Sequence, residues 1–172
     1  MKVIDLSTEI YTGMEVYPGD PDVSVEIVNT IERENWELRY LKLGSHTGTH
    51  VDAFSHMHVG MRTIDEIPIE NFFGTAQVVG IDDDWATEIG LFFLEEMTIT
   101  DFERIVDSKP RFLGGNIDEE LERKILGIEI ITYTGLVNLD KIPRNTHFMF
   151  YGLPLKIRSG DGSPVRAIAI IE

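Results

Sequence analysis

Gly44-Ser45-His46-Thr47-Gly48-Thr49-His50-Val51-Asp52-Ala53-Phe54-Ser55-His56-Met57-His58 holds four of the five histidines in a chain of 172 residues. Spread evenly, five histidines would place roughly 0.4 in a window of that size, so the clustering needs a physical cause. A lone histidine is more often a packed or surface residue than a ligand. Four of them with an aspartate reverse that weighting. Neutral imidazole together with carboxylate suits Zn²⁺, Mn²⁺ or Fe²⁺. The chain has no cysteine, so a thiolate site is excluded and any metal must sit on His, Asp or Glu. If the segment is extended, His50 and Asp52, two apart, project to one side. His46 then folds back across Gly48 and completes a three-ligand face. Such a face leaves positions for water and substrate, as catalytic sites do and closed structural sites do not. His58 and His147 read as packed or surface residues.

Outward from this stretch, strand signals dominate. Val3 to Leu6, Val23 to Val28, Leu38 to Leu43, Gln77 to Ile81, Glu129 to Tyr133, Phe148 to Ile157 and Val165 to Ile171 are apolar or alternating, and mostly β-branched or aromatic. Two helices fit between them. One is capped by Thr100 ahead of Asp101 to Val106, and the other starts near Asp118 and runs through Leu121 to Leu126. Pro18-Gly19-Asp20-Pro21, Gly114-Gly115-Asn116 and Ser159-Gly160-Asp161-Gly162-Ser163-Pro164 read as turns. The class is α/β with strands in the majority. No repeat, low-complexity tract or linker divides residues 1–172, which read as a single domain.

The formal net charge of −15 argues against nucleic-acid and anionic-membrane partners, both of which need clustered Lys and Arg. A small molecule is the expected partner. No run approaches the ~20 apolar residues of a membrane span, and Met1-Lys2-Val3-Ile4-Asp5-Leu6 lacks the uninterrupted apolar segment of a signal peptide. With the absence of cysteine, this gives a cytoplasmic expectation. The acidic runs Asp82-Asp83-Asp84 and Glu119-Glu120 read as solvated faces.

His46-Thr47-Gly48-Thr49-His50-Val51-Asp52-Ala53-Phe54-Ser55-His56 resembles the HxGTHxDxPxH signature of the cyclase family, which includes bacterial kynurenine formamidases and isatin hydrolases. Phe54 stands where the signature has Pro. Ile4-Asp5-Leu6-Ser7 and Val16-Tyr17-Pro18-Gly19-Asp20-Pro21 look like the family's opening. Leu153 to Ile157 and Gly160-Asp161-Gly162-Ser163-Pro164-Val165-Arg166-Ala167 look like its close. The resemblance implies a swivelling β/β/α fold, strand-rich with about two helices, in a homo-oligomer such as a dimer or tetramer. It implies hydrolysis of a formamide, aryl amide or lactam with one divalent metal ion, Zn or Mn foremost. By position, His46, His50 and Asp52 match the family's metal ligands, His56 its catalytic acid/base, and Tyr17 an aromatic residue against the substrate. The apolar strands Phe148 to Phe150 and Ala167 to Ile171 are expected to be covered by another subunit.

One departure bears on the metal count. Two-metal members supply a later His and then a Glu. Here the position matching the Glu reads Thr134, and no His occurs between His58 and His147. Glu122 reads as exposed helix surface. These absences leave open a non-catalytic relative that binds metal or a ligand only, although retention of His56 counts against it. A cupin-type oxygenase fits poorly, because Arg62 and Thr63 stand where its pattern wants a Glu.

Overall fold

The computed structural model describes residues 1–171. Its centre is four parallel strands, β5 (Phe73–Val79), β6 (Gly90–Met97), β7 (Phe112–Ile117) and β8 (Ile131–Thr134), hydrogen-bonded in that order. Parallel strands need crossovers. The connections after β6 and β7 supply α2 (Phe102–Ser108) and α3 (Glu119–Gly127). Successive residues of β6 and β7 point to opposite faces, and both faces are buried. Leu91, Phe93 and Leu113 join Ile105, Leu121 and Ile125 beneath the helices, while Phe92 and Phe112 join Phe148, Phe150, Tyr133, Phe54 and Leu6 on the other side. A parallel strand covered on both faces has no polar alternation to read.

Antiparallel strands extend the sheet on both sides. β9 (His147–Tyr151), β11 (Ile168–Ile171) and β1 (Lys2–Asp5) follow beyond β5, and β4 (His50–Asp52) and β10 (Gly162–Pro164) beyond β8. The sheet curls until its ends meet: Leu6 accepts a hydrogen bond from Val137 N and donates to Ala167 O, and Val165 N donates to Thr49 O. Residues 162–171 thus run from one edge to the other and close the layer. A separate ribbon pairs β2 (Ser24–Asn29) with β3 (Leu38–Lys42) around the one-turn helix α1 (Ile31–Glu34).

Several sequence expectations are corrected. Among the described residues there are three α-helices, the one-turn α1 besides the two expected, and the cap of the segment leading into α2 is Thr98, in a reciprocal capping box with Asp101, rather than Thr100. α3 starts next to Asp118, as expected, and that residue caps it, its Oδ1 accepting from Leu121 N at 2.7 Å. The strand expected to reach Ile157 ends at Tyr151. Gly114-Gly115-Asn116 is not a turn but the middle of β7. Gly115 has φ +100, and a Cβ there would lie 2.1 Å from Phe93 O, so the glycine is required by the close approach of β6. Phe148, Phe150 and Ala169 are buried in the chain's own core, as is Ala167, while the alternate positions Met149, Tyr151, Ile168 and Ile170 are only partly buried.

Phe92 packs against Phe112, Tyr133, Phe148 and Phe150, with ring centroids from 4.7 to 6.5 Å. Truncation to Phe92→Ala should destabilise the fold by ~3–5 kcal/mol, read from the midpoint of denaturant unfolding. A loss under about 1 kcal/mol would mean that the cluster collapses to fill the space.

Candidate metal centre

β4 positions the site. It is three residues long and paired on both sides, to β8 through His50↔Thr134 and Asp52↔Thr132, and to β10 through Gly162↔Asp52. Period-two alternation sends His50 and Asp52 to one face and the fully buried Val51 to the other. His46 reaches the same point from the loop before β4. Its Nδ1 lies 2.6 Å from Asp52 Oδ1, and His50 Nε2 lies 3.6 Å from the same oxygen. The Nδ1–H of His50 donates to Gly48 O at 2.8 Å, which fixes the ring and leaves the Nε2 lone pair aimed at Asp52. The three expected ligands therefore converge on one carboxylate oxygen.

His56 arrives differently. Ala53 precedes a single 3-10 turn, Phe54–His56, and His56 N donates to Ala53 O at 3.0 Å. Phe54, standing where the signature has Pro, is fully buried and pins the turn to the core. The His56 ring stacks 3.9 Å from that of His46 at an interplanar angle of 34°. Donor atoms of His46, Asp52 and His56 all lie within 4.8 Å of one another, so this set too could hold an ion. His50 is the better third ligand on physical grounds. It is buried and anchored through its other nitrogen, whereas His56 is partly exposed beside the cavity.

Asp161 joins the site although no sequence pattern marks it as a site residue. Its Oδ2 sits 2.9 Å from His46 Nε2 and 3.6 Å from His56 Nδ1, while Oδ1 accepts from Ser45 Oγ at 2.8 Å. The one local sign is a carboxylate between two glycines in a segment read as a turn. Glu122 was read as exposed surface and is not. One turn before Ile125 and Leu126, it flanks the buried stripe of α3, and its Oε1 accepts from Thr132 Oγ1 at 2.7 Å. Thr132 has a single hydroxyl proton, so its 3.3 Å approach to Asp52 Oδ2 is the weaker contact, and Thr134 Oγ1 donates to that oxygen at 3.3 Å.

The charges follow from this packing. Burial alone would push the His46 pKa down, but hydrogen bonds and attraction from Asp52 and Asp161 overcome it and hold the imidazolium up to about 9. Burial and the neighbouring His46 charge lower His56. Glu122 is raised to about 7 by burial and by the Asp52 charge, and Asp161 is held down at about 2 by its bonds from His46 and Ser45 against the effect of burial. The His46 imidazolium thus sits between the Asp52 and Asp161 carboxylates, and the donor set of two imidazoles and a carboxylate fits a divalent metal.

The site opens into a cavity of about 920 Å³ whose wall includes Tyr17, Met57, Ile117, Arg123 and Thr134. Tyr17 is 69% exposed rather than core. A second cavity of about 350 Å³, near Leu136 and Asp140, has no imidazole on its wall. His58 Nε2 donates to Arg123 O at 2.6 Å and His147 is exposed on β9, so neither enters the site.

A family model described as "Putative cyclase" matches residues 4–110. The chain belongs to the cyclase family. A kynurenine formamidase of Salinibacter ruber is 28% identical, over 98% of this chain and 97% of that one, and another of Paracidovorax citrulli is 24% identical over 95% and 94%. Among solved structures, isatin hydrolase A from Labrenzia aggregata has a TM-score of 0.79 at 19% identity, covering 99% of this chain and 93% of that one. A structure described as a potential metal-dependent hydrolase with cyclase activity has a TM-score of 0.79 at 22% identity, covering 98% and 96%. The last two likenesses establish the cyclase fold.

The folded-state pKa values of His46 and Glu122 are both raised, so each contributes stability at low pH that is lost as pH rises, Glu122 through about 7 and His46 through about 9. The thermal midpoint of chelated protein should fall between pH 6.5 and 9, and His46→Ala should flatten the upper part of that fall. An equally steep fall in the variant would place the titration elsewhere.

Proposed function

We propose that this chain, working as one domain, is a metal-dependent hydrolase that cleaves an amide-type carbon–nitrogen bond of a small molecule: a formamide, aryl amide or lactam. The observation that carries the reading is the convergence of His46 Nδ1 and His50 Nε2 on Asp52 Oδ1 beside a cavity that His56 also borders. The formamidase relatives match it over nearly their whole length. His46, His50 and Asp52 would hold one divalent ion, Zn²⁺ or Mn²⁺. Bound there, the ion supplies Lewis acidity toward a carbonyl and lowers the pKa of water from 15.7 to about 7.

The chain's own groups then have separable tasks. His56, neutral at pH 7 because its pKa is lowered, takes a proton from the attacking water and passes it to the departing nitrogen. Without that proton the amine is a poor leaving group. Tyr17 lines the cavity from an exposed loop, and its ring offers a stacking surface to an aromatic substrate. Thr134 donates to Asp52 Oδ2, leaving Oδ1 for the ion.

His56→Ala should retain metal and lose ~10²- to 10⁴-fold in turnover of formylated arylamines or lactams. His46→Ala, His50→Ala and Asp52→Ala should each lose the metal. Chelated protein titrated with Zn²⁺ or Mn²⁺ should recover activity with the first equivalent. Metal uptake with no turnover on any amide would instead identify a ligand-binding relative. Activity appearing only with a second equivalent would sink the one-ion reading.

We infer a cytoplasmic homo-oligomer, dimer or tetramer, and the ribbon β2–β3 is the surface that supports it. Ile27, Val28, Trp36, Leu38, Tyr40 and Leu41 are all exposed there, and an isolated two-stranded ribbon is marginal in water. Light scattering at micromolar concentration should report at least a dimer, and Trp36→Glu with Leu38→Glu should dissociate it. A wild-type monomer would reject the assembly.

A further inference from the structure

Asp161 touches both halves of the site. The pairing of β10 with β4 sets its place, because Gly162 lies opposite Asp52 and Asp161 O accepts from Ala53 N at 2.9 Å. Gly162 is needed for that approach: a Cβ there would lie 2.6 Å from His46 Cε1 and 2.9 Å from Val51 O. The carboxylate is oriented by Ser45 Oγ on Oδ1, which leaves Oδ2 between Nε2 of His46 at 2.9 Å and Nδ1 of His56 at 3.6 Å.

The chemistry of imidazole makes this placement consequential. A histidine that presents Nδ1 to a cation must keep its proton on Nε2, and that N–H needs an acceptor that also fixes the ring plane. A histidine that exchanges protons with a substrate through one nitrogen likewise needs the other held. In this chain a single carboxylate oxygen faces both nitrogens, at hydrogen-bond distance from His46 Nε2 and at ion-pair distance from His56 Nδ1.

Resting on the hydrolase reading above, we propose that Asp161 is the positioning residue of the site: its carboxylate fixes His46 with Nδ1 toward the cation and His56 with Nε2 toward the substrate. It touches neither the cation nor the reacting bond. Its removal therefore acts on two measurable quantities that a packing defect would not separate. Asp161 is about half exposed, so its substitution leaves the core intact.

The test uses Asp161→Asn, which keeps an acceptor without the charge, and Asp161→Ala, which keeps neither. Zn²⁺ affinity of the chelated proteins is measured by competition with a chromophoric chelator. Turnover is measured at saturating Zn²⁺ in the wild-type and His56→Ala backgrounds. Affinity should weaken about 10- to 100-fold, more in the alanine variant. At saturating Zn²⁺, kcat should fall with KM within twofold, and Asp161→Asn should have no further effect on kcat in the His56→Ala background. Wild-type affinity in both variants, or losses in kcat that multiply with that of His56→Ala, would overturn the assignment. A wild-type chain that binds no Zn²⁺ would instead remove the hydrolase reading and this inference together.

Discussion

The pairing of β4 on both edges is the constraint on which the site depends. Three residues would not hold an extended conformation by themselves, since an isolated pair of strands is marginal. β8 and β10 fix them from either side, and the alternation of the strand then aims His50 and Asp52 at one point while Val51 enters the core. β8 also brings Thr132 and Thr134 to Asp52, and β10 brings Asp161 to His46. The charged groups are thus assembled by backbone register rather than by flexible side chains.

That arrangement explains how a buried carboxylate persists. Asp52 is nearly inaccessible, and burial alone would favour its neutral form. Hydrogen bonding from His46 and the charges of the neighbouring imidazoles reverse the balance and lower its pKa. The compensation extends outward: Asp161 balances His46, while Glu122 gives up its charge in part because Asp52 keeps its own. The cluster is a coupled set in which a change at one member is transmitted to the next.

Much of this was legible in the sequence, and the reasons differ by residue. His46, His50 and Asp52 were readable because their spacing is local, and a period of two on a short strand needs no tertiary knowledge, whereas the role of His56 came from the resemblance to the family signature. The start of α3 near Asp118 was readable from local spacing too. β6 and β7 were not, because Gly90-Leu91-Phe92-Phe93 has no alternation when both faces are buried, and Gly114-Gly115 imitates a turn where it relieves a close approach to β6. Asp161 lies 115 residues from His46, and only strand pairing brings them together. Glu122 was misread because charge was weighed above its spacing from Ile125 and Leu126, which places it at the border of the buried face.

Thr134 and Glu122 together give the departure from the two-metal pattern a physical form. A second cation beside Asp52 would need Oδ2 as a free acceptor with further acceptors nearby. Oδ2 instead faces two hydroxyls, Thr132 and Thr134, of which Thr134 has a proton to give. Glu122, the acid nearest to serving as a further ligand, has its Oε1 occupied by Thr132, and its raised pKa keeps it partly protonated near neutral pH. A hydroxyl that donates to a carboxylate makes the oxygen less available to a cation, and two cations sharing one carboxylate repel each other besides. The loss of a ligand at position 134 is therefore more than a vacancy in a list: threonine there reverses the polarity of the contact, and this supports a site in which a single ion works with His56.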